Sequence, residues 1–347
     1  MLLYCEIAAV LALGLMLLFM PKFLPYLKKL KFGQTIYDLG PKAHLAKQGT
    51  PNMGGILIGG FTVISAVAVG VLMMAREQMG VLRNHLLWPL LFVCLGSMAV
   101  GFTDDYIKDV KKNHEGLKPK QKLVGQLLVG LLFSLYCYFF VGSDVILPFT
   151  AKTWDLGVFY IPLMTVLVMF MTNSANLQDG VDGILSSVTT VGMIAFSLIA
   201  AFLAAALPTP EGAFEYRLIA VLCCALAGAC IGFLRFNRHP AKIFMGDTGS
   251  MFIGGAMVGV GMLLKCEFLL IPICFTCIMS SVSVMLQTTY FKYTKKKYGQ
   301  GRRIFKMTPI HHHFELSSMK ENQIVLMYTL VTLALSLLAI GSLAPLY

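Results

Sequence analysis

Three short blocks of this chain place carboxylates at the edges of apolar segments, where a charge is costly to leave unpaired. The first, Gly101-Phe102-Thr103-Asp104-Asp105-Tyr106-Ile107-Lys108-Asp109, closes an apolar run. If a helix continues through it, Asp104 and Lys108 share a face, as do Asp105 and Asp109, while the two adjacent acids point about 100° apart. Neighbouring acids at a bilayer edge repel each other and lose hydration unless a cation or a cationic partner offsets both. A solvated helix end laced with ion pairs is the plainer reading. The second block is Asn173-Ser174-Ala175-Asn176-Leu177-Gln178-Asp179-Gly180-Val181-Asp182-Gly183. Its Asn173, Asn176 and Asp179 recur at steps of three and are expected to line one helical face. Such amides and carboxylates suit hydrogen bonding to a nucleobase or sugar, or oxygen ligation of Mg²⁺. A polar turn between two spans is the alternative. The third block, Phe244-Met245-Gly246-Asp247-Thr248-Gly249-Ser250, sets one acid between glycines. It suits a cation held against a phosphate, and equally an Asp that caps a helix.

Two more blocks add positive charge. Lys295-Lys296-Lys297, Arg302-Arg303 and Lys306 precede Thr308-Pro309-Ile310-His311-His312-His313-Phe314-Glu315. Polybasic stretches beside a membrane commonly bind anionic headgroups. Three consecutive histidines diverge on a helix or a strand, so imidazoles donating to phosphate oxygens fit better than one shared metal. Lys47-Gln48-Gly49-Thr50-Pro51-Asn52-Met53-Gly54-Gly55 is no P-loop, because the order of Lys and Ser/Thr is wrong. Its Gly-rich backbone near a lysine could still lie close to a phosphate. Carboxylates for a divalent cation, cations for phosphates and amides for a base or sugar together fit phosphoryl transfer. Catalysis there is chiefly positioning and charge stabilisation.

The elements that must position these residues are membrane spans. Of 347 residues, 57% are hydrophobic and 13% charged, more apolar surface than a soluble domain carries. A spanning helix needs roughly 20 apolar residues. Ten spans are expected, at 2–20, 53–74, 86–102, 123–141, 158–171, 184–207, 218–234, 251–264, 268–290 and 323–344. Of 28 Lys and Arg, 23 fall in one alternating set of loops, leaving Arg76, Arg83, Lys152, Arg217 and Lys265 opposite. The positive-inside tendency puts the basic loops in the cytoplasm and both termini outside. The first span carries its lysines after the apolar run, as a retained anchor does and a secretory signal does not. The nine cysteines, mostly inside apolar runs, read as small hydrophobes. One polytopic all-α domain, 1–347, is expected, with its chemistry assembled from loops and helix ends on the cytoplasmic face.

At these residues the chain resembles the polyprenyl-phosphate N-acetylhexosamine-1-phosphate transferases. The blocks at 47–55, at Asp104, Asp105 and Lys108, at 173–183 and at 244–250 occur in the family's order, and 308–315 points to its muramoyl branch. Two departures are Asn52, where Thr is usual, and Gln178 with Val181, where Thr and Leu are usual. The resemblance implies that undecaprenyl phosphate attacks the β-phosphate of UDP-N-acetylmuramoyl-pentapeptide, releasing UMP in the bacterial cytoplasmic membrane. It implies Mg²⁺ dependence, a homodimer, a lipid groove beside the ninth helix and no nucleic-acid partner. By resemblance, Asp247 is the Mg²⁺ ligand, and Asp104, Asp105, Lys108 and Asp247 form the catalytic set. Lys47, Asn176, Asp179, Asp182 and Phe244 map to the uridine side. Lys112, Lys120, Asn173, His311, His312 and His313 map to phosphate contacts.

Transfer of N-acetylglucosamine-1-phosphate to the same lipid is the nearest alternative. A transporter or flippase belongs to a different class and calls for ionisable residues near the bilayer midplane. The spans here are almost free of charge away from their cytoplasmic ends, Glu6 excepted. A lipid-binding scaffold would explain the basic loops but not the carboxylates.

Overall fold

The expected apolar runs fold into helices, the form in which a single segment satisfies its own backbone in lipid. A computed structural model describes residues 1–29, 49–78, 85–109 and 116–346. Twelve helices are present among them: α1 (Leu2–Lys29), α2 (Gly55–Glu77), α3 (Leu87–Asp109), α4 (Pro119–Tyr136), α5 (Tyr160–Gln178), α6 (Ile184–Ala206), α7 (Pro210–Asn237), α8 (Gly246–Leu263), α9 (Leu270–Ile273), α10 (Phe275–Tyr298), α11 (Ile310–Glu315) and α12 (Glu321–Gly341). A short antiparallel hairpin, β1 (Asp144–Ile146) and β2 (Thr153–Asp155), pairs Asp144 with Asp155.

Eight of the described helices are long and apolar enough to cross a membrane. The segment from Glu267 through α9 and α10, bent by 83°, makes a ninth. The remaining expected span, 251–264, is α8, whose 18 residues are diluted by Asp247 and six glycines. It nevertheless runs the length of the bundle. Asp247 meets Lys122 at one end, and Lys265, just past the other, reaches Asp144 of the hairpin at 2.6 Å. From Thr248 onward every residue of α8 is buried, so helices surround it and its apolarity need not match lipid.

Close approach around α8 sets the site. A Cβ on Gly101 of α3 would overlap the Asp247 carbonyl, and one on Gly55 of α2 would overlap the Gly249 backbone. Small residues at such crossings let backbones nearly touch, which draws α3 and α2 onto the first turn of α8. Helix ends carry local signals too. Thr209 Oγ1 accepts from Gly212 N at 3.3 Å ahead of Pro210, and Gly299 at φ +74° closes α10.

The start of α1 and the end of α12 both lie at the hairpin end of the bundle. Phe149 N donates to Ser342 O (2.8 Å). Gly228 and Gly232 of α7 pack on Ala9 and Met16 of α1, so these two helices run the same way. All nine cysteines are free thiols, eight of them buried, and Glu6 is exposed on α1.

Candidate active site

At the end opposite the hairpin, α3 runs beyond its apolar part and presents Asp104 and Lys108 on one face and Asp105 on the next. Lys108 Nζ lies 2.8 Å from Asp104 Oδ2 and 3.3 Å from Asp247 Oδ2. Lys122, from the first turns of α4, lies 3.2 Å and 2.7 Å from the same two oxygens. Two ammonium groups thus bridge two carboxylates, the arrangement that makes burial of four charges tolerable. Leu117 N donates to Asp104 Oδ1 (2.7 Å). Asn176 Nδ2 donates to Asp247 Oδ1 (2.7 Å) and to Ser250 Oγ (2.9 Å). Asp104 is 4% exposed, Lys122 18% and Lys108 36%, so the lysines form the open side. Each ammonium touches both acids, so one can turn toward an incoming anion while the other keeps the acids paired.

Asp105 does something different from its neighbour. Its carboxylate accepts from Asp247 N (3.2 Å), Thr248 N (2.8 Å) and Thr248 Oγ1 (2.6 Å), which are first-turn donors of α8. A carboxylate there satisfies orphan N–H groups and opposes the positive end of the helix dipole. Asp105 therefore fixes the backbone that carries Asp247. Asn52 Nδ2 reaches Asp105 Oδ1 (3.4 Å) and Asp109 Oδ2 (3.0 Å), tying the Gly-rich segment to the same face of α3. We expect Asp105→Ala to cost about 2–4 kcal/mol of stability, as loss of a cap and of charge-assisted hydrogen bonds. Thermal unfolding in detergent reads this, and Asp105→Asn, which keeps an acceptor, recovers part of the loss. An unchanged midpoint in Asp105→Ala would contradict the capping role.

The Gly-rich segment is laced to the chain before α8: Phe244 N donates to Pro51 O (2.8 Å), Gly54 N to Phe244 O (2.9 Å) and Gly55 N to Met245 O (2.9 Å). Phe244 is half-buried. Lys47 and Lys112 lie outside the described residues.

The expectation that Asn173, Asn176 and Asp179 line one helical face needs correction. Helix α5 ends at Gln178, and Asp179 leaves the helical path. Gly180 N bonds back to Gln178 O (2.8 Å) as the chain turns, a reversal that glycine makes easy. Asn173 and Asn176 also part company: Asn173 Nδ2 bonds Gln126 Oε1 (2.9 Å) and Met169 O (2.7 Å), whereas Asn176 reaches Asp247.

Gly180 abuts α11, where a Cβ would overlap His311 Nε2 and lie 3.3 Å from His312 Nε2. The three histidines have distinct surroundings. His311 is fully buried, His312 Nδ1 pairs with Glu315 Oε2 at 2.5 Å, and His313 Nδ1 accepts from Lys306 N (3.1 Å).

Asp182 joins a second group. Its Oδ2 accepts from Ala241 N (2.9 Å) and lies 3.2 Å from His239 Nδ1, which is 3.4 Å from Glu321 Oε2. These three side chains offer donor atoms within 4.8 Å of one another, a possible metal site. His239 and Glu321 were not anticipated from sequence. Neither was Lys122, whereas Lys120, which was, is exposed on the first turn of α4. A signal for Lys122 existed: it stands four residues before Gln126, on the face that meets Asn173.

Residues 87–265 match the family model described as glycosyl transferase family 4, a stretch that contains Asp104, Lys108, Lys122, Asn176 and Asp247. The chain belongs to this family of membrane-embedded transferases. Among its similar curated relatives is the phospho-N-acetylmuramoyl-pentapeptide-transferase of Thermoanaerobacter sp. (strain X514), 40% identical over 338 residues, 97% of this chain and 98% of the relative. The enzyme of the same name from Bacillus subtilis (strain 168) is 40% identical, with 92% of each chain covered. That of Acetivibrio thermocellus is 39% identical over 95% of this chain and 92% of its own.

Proposed function

We propose that the chain transfers phospho-N-acetylmuramoyl-pentapeptide from its UDP-linked donor to undecaprenyl phosphate in the bacterial cytoplasmic membrane, releasing UMP. The observation that carries this reading is the pair of lysines bridging Asp104 and Asp247. An oxygen of the lipid phosphate attacks the sugar-bearing phosphorus, and the bond from that phosphorus to the UMP oxygen breaks. Two anions must meet and a third must leave, so the task is charge stabilisation more than bond-making.

Lys108 and Lys122 supply that charge from side chains already aimed at one point. Asn176 holds the Asp247 carboxylate in register, and Asp105 holds its backbone. Once Lys108 or Lys122 turns from the two carboxylates to phosphate oxygens, Asp247 and Asp104 offer oxygen ligands of the kind Mg²⁺ prefers. Asp247, with Asp104 opposite, would hold Mg²⁺, which when bound supplies Lewis-acid polarisation of the diphosphate and offsets charge on the leaving nucleotide. The acceptor needs little deprotonation. A phosphate monoester has its second pKa near ~6, so at neutral pH it is mostly dianionic and a general base has less to contribute. Asp104 acts chiefly by holding Lys108 and Lys122.

Lys47, Asn176, Asp179, Asp182 and Phe244 are proposed for the uridine side. Asn173, Lys112, Lys120 and His311 to His313 are proposed for phosphate contacts. Those assignments and a homodimeric state are supported by the family resemblance. Purified protein in detergent, given undecaprenyl phosphate and competing UDP-sugars, tests the reading. UMP release is expected from the muramoyl-pentapeptide donor, with loss on chelation. Absence of UMP with every donor contradicts it and is what a transporter would give.

A further inference from the structure

A basic hollow lies where α7 ends and α12 begins. It has a volume of about 500 Å³ and is lined by Arg235, Phe236, Arg238, His239, Lys242 and Asn322, among others. His239 is engaged by Asp182 and Glu321. Arg235, Arg238 and Lys242 are exposed and form no ion pair with any described residue. Three cations converging on one concavity, with an amide beside them and the Phe236 ring as a wall, make a receptor for a carboxylate or similar oxyanion.

Position favours one source of that anion. Lys242 is five residues before Asp247, so their Cα atoms are at most about 18 Å apart, and a fully extended pentapeptide spans about the same length. In a muramoyl-pentapeptide the sugar's acyl group takes the amino end of the peptide, which leaves the carboxyl end free. Resting on the function proposed above, we infer that this hollow binds the terminal carboxylate of the donor's peptide. It thereby selects donors by what hangs from the reacting sugar, at a distance from the phosphates.

The test compares two donors, one with a free peptide carboxyl end and one with that end amidated. The full-length protein is assayed in nanodiscs of zwitterionic lipid. In the double variant Arg238→Gln/Lys242→Gln, KM for the free-carboxylate donor is expected to rise about tenfold, the loss of a charge-assisted contact. KM for the amidated donor is expected to stay at its wild-type value, with kcat for both donors held within about twofold. The kcat on the amidated donor doubles as the folding control, and Lys242→Gln alone carries the same comparison if the double variant does not fold. Equal KM values for the two donors in wild type, unmoved by the substitutions, overturn the pocket assignment while leaving the transferase reading intact. A KM rise that affects both donors alike, or that needs anionic lipid in the nanodisc, assigns the hollow to headgroup phosphates and also overturns it. No UMP from either donor in wild type removes both readings together.

Discussion

Asp247→Ala is expected to lower the rate of UMP release by about 10³-fold or more, the scale seen when one preorganised charge-stabilising group is lost. The protein should remain folded. The Asp247 side chain engages Lys108, Lys122 and Asn176, and both lysines keep Asp104 when it is removed. They are also partly open to water, which takes up the charge left unpaired. The backbone N–H of residue 247 stays on Asp105 in any case. Thermal unfolding and UMP release on the same preparation separate the two effects. Asp105→Ala should show the opposite balance, with the larger change in stability. Near-normal turnover by a folded Asp247→Ala protein removes Asp247 from the centre of the reaction.

Lys122→Met should lower kcat by about 10²-fold with a smaller change in donor KM. The ammonium of Lys122 sits 2.7 Å from Asp247 and is the less exposed of the two bridging lysines. Methionine keeps the stem and its packing and removes only the charge. Loss of binding to donor and transition state alike would raise KM at constant kcat, so the split between the constants reports where the charge acts. Equal rates in wild type and Lys122→Met would leave Lys108 as the only lysine needed.

What could be read in the sequence was whatever lies within one helical turn or one apolar run. Asp104 with Lys108, four residues apart, form the ion pair their spacing predicts. Asp105 and Asp109 share a face, and Asn52 touches both. That gives the departure at Asn52 a structural role that its position alone did not reveal. The apolar runs gave the spans, except that α8 is short and rich in glycine because other helices enclose it. Asp179 was misplaced because periodicity carries no information about where a helix stops, and the glycines after it favoured a turn. Pairings across the chain were out of reach. Asp182 with Glu321 and Lys122 with Asp247 join segments more than a hundred residues apart, and only helix packing, α12 on α6 for the first and α3, α4 and α5 near α8 for the second, brings them together. Asp104 and Asp105 are separated by the 100° that the sequence predicts for successive helical side chains, but that one holds lysines and the other caps α8 depends on contacts with distant segments.

A density map of the protein with its UDP-linked donor and Mn²⁺, lacking the lipid acceptor, tests most directly where transfer occurs. The diphosphate and the cation are expected between Asp104 and Asp247, with Lys108 or Lys122 turned onto phosphate oxygens. A cation held instead by Asp182, His239 and Glu321, with the diphosphate away from both bridging lysines, would contradict it.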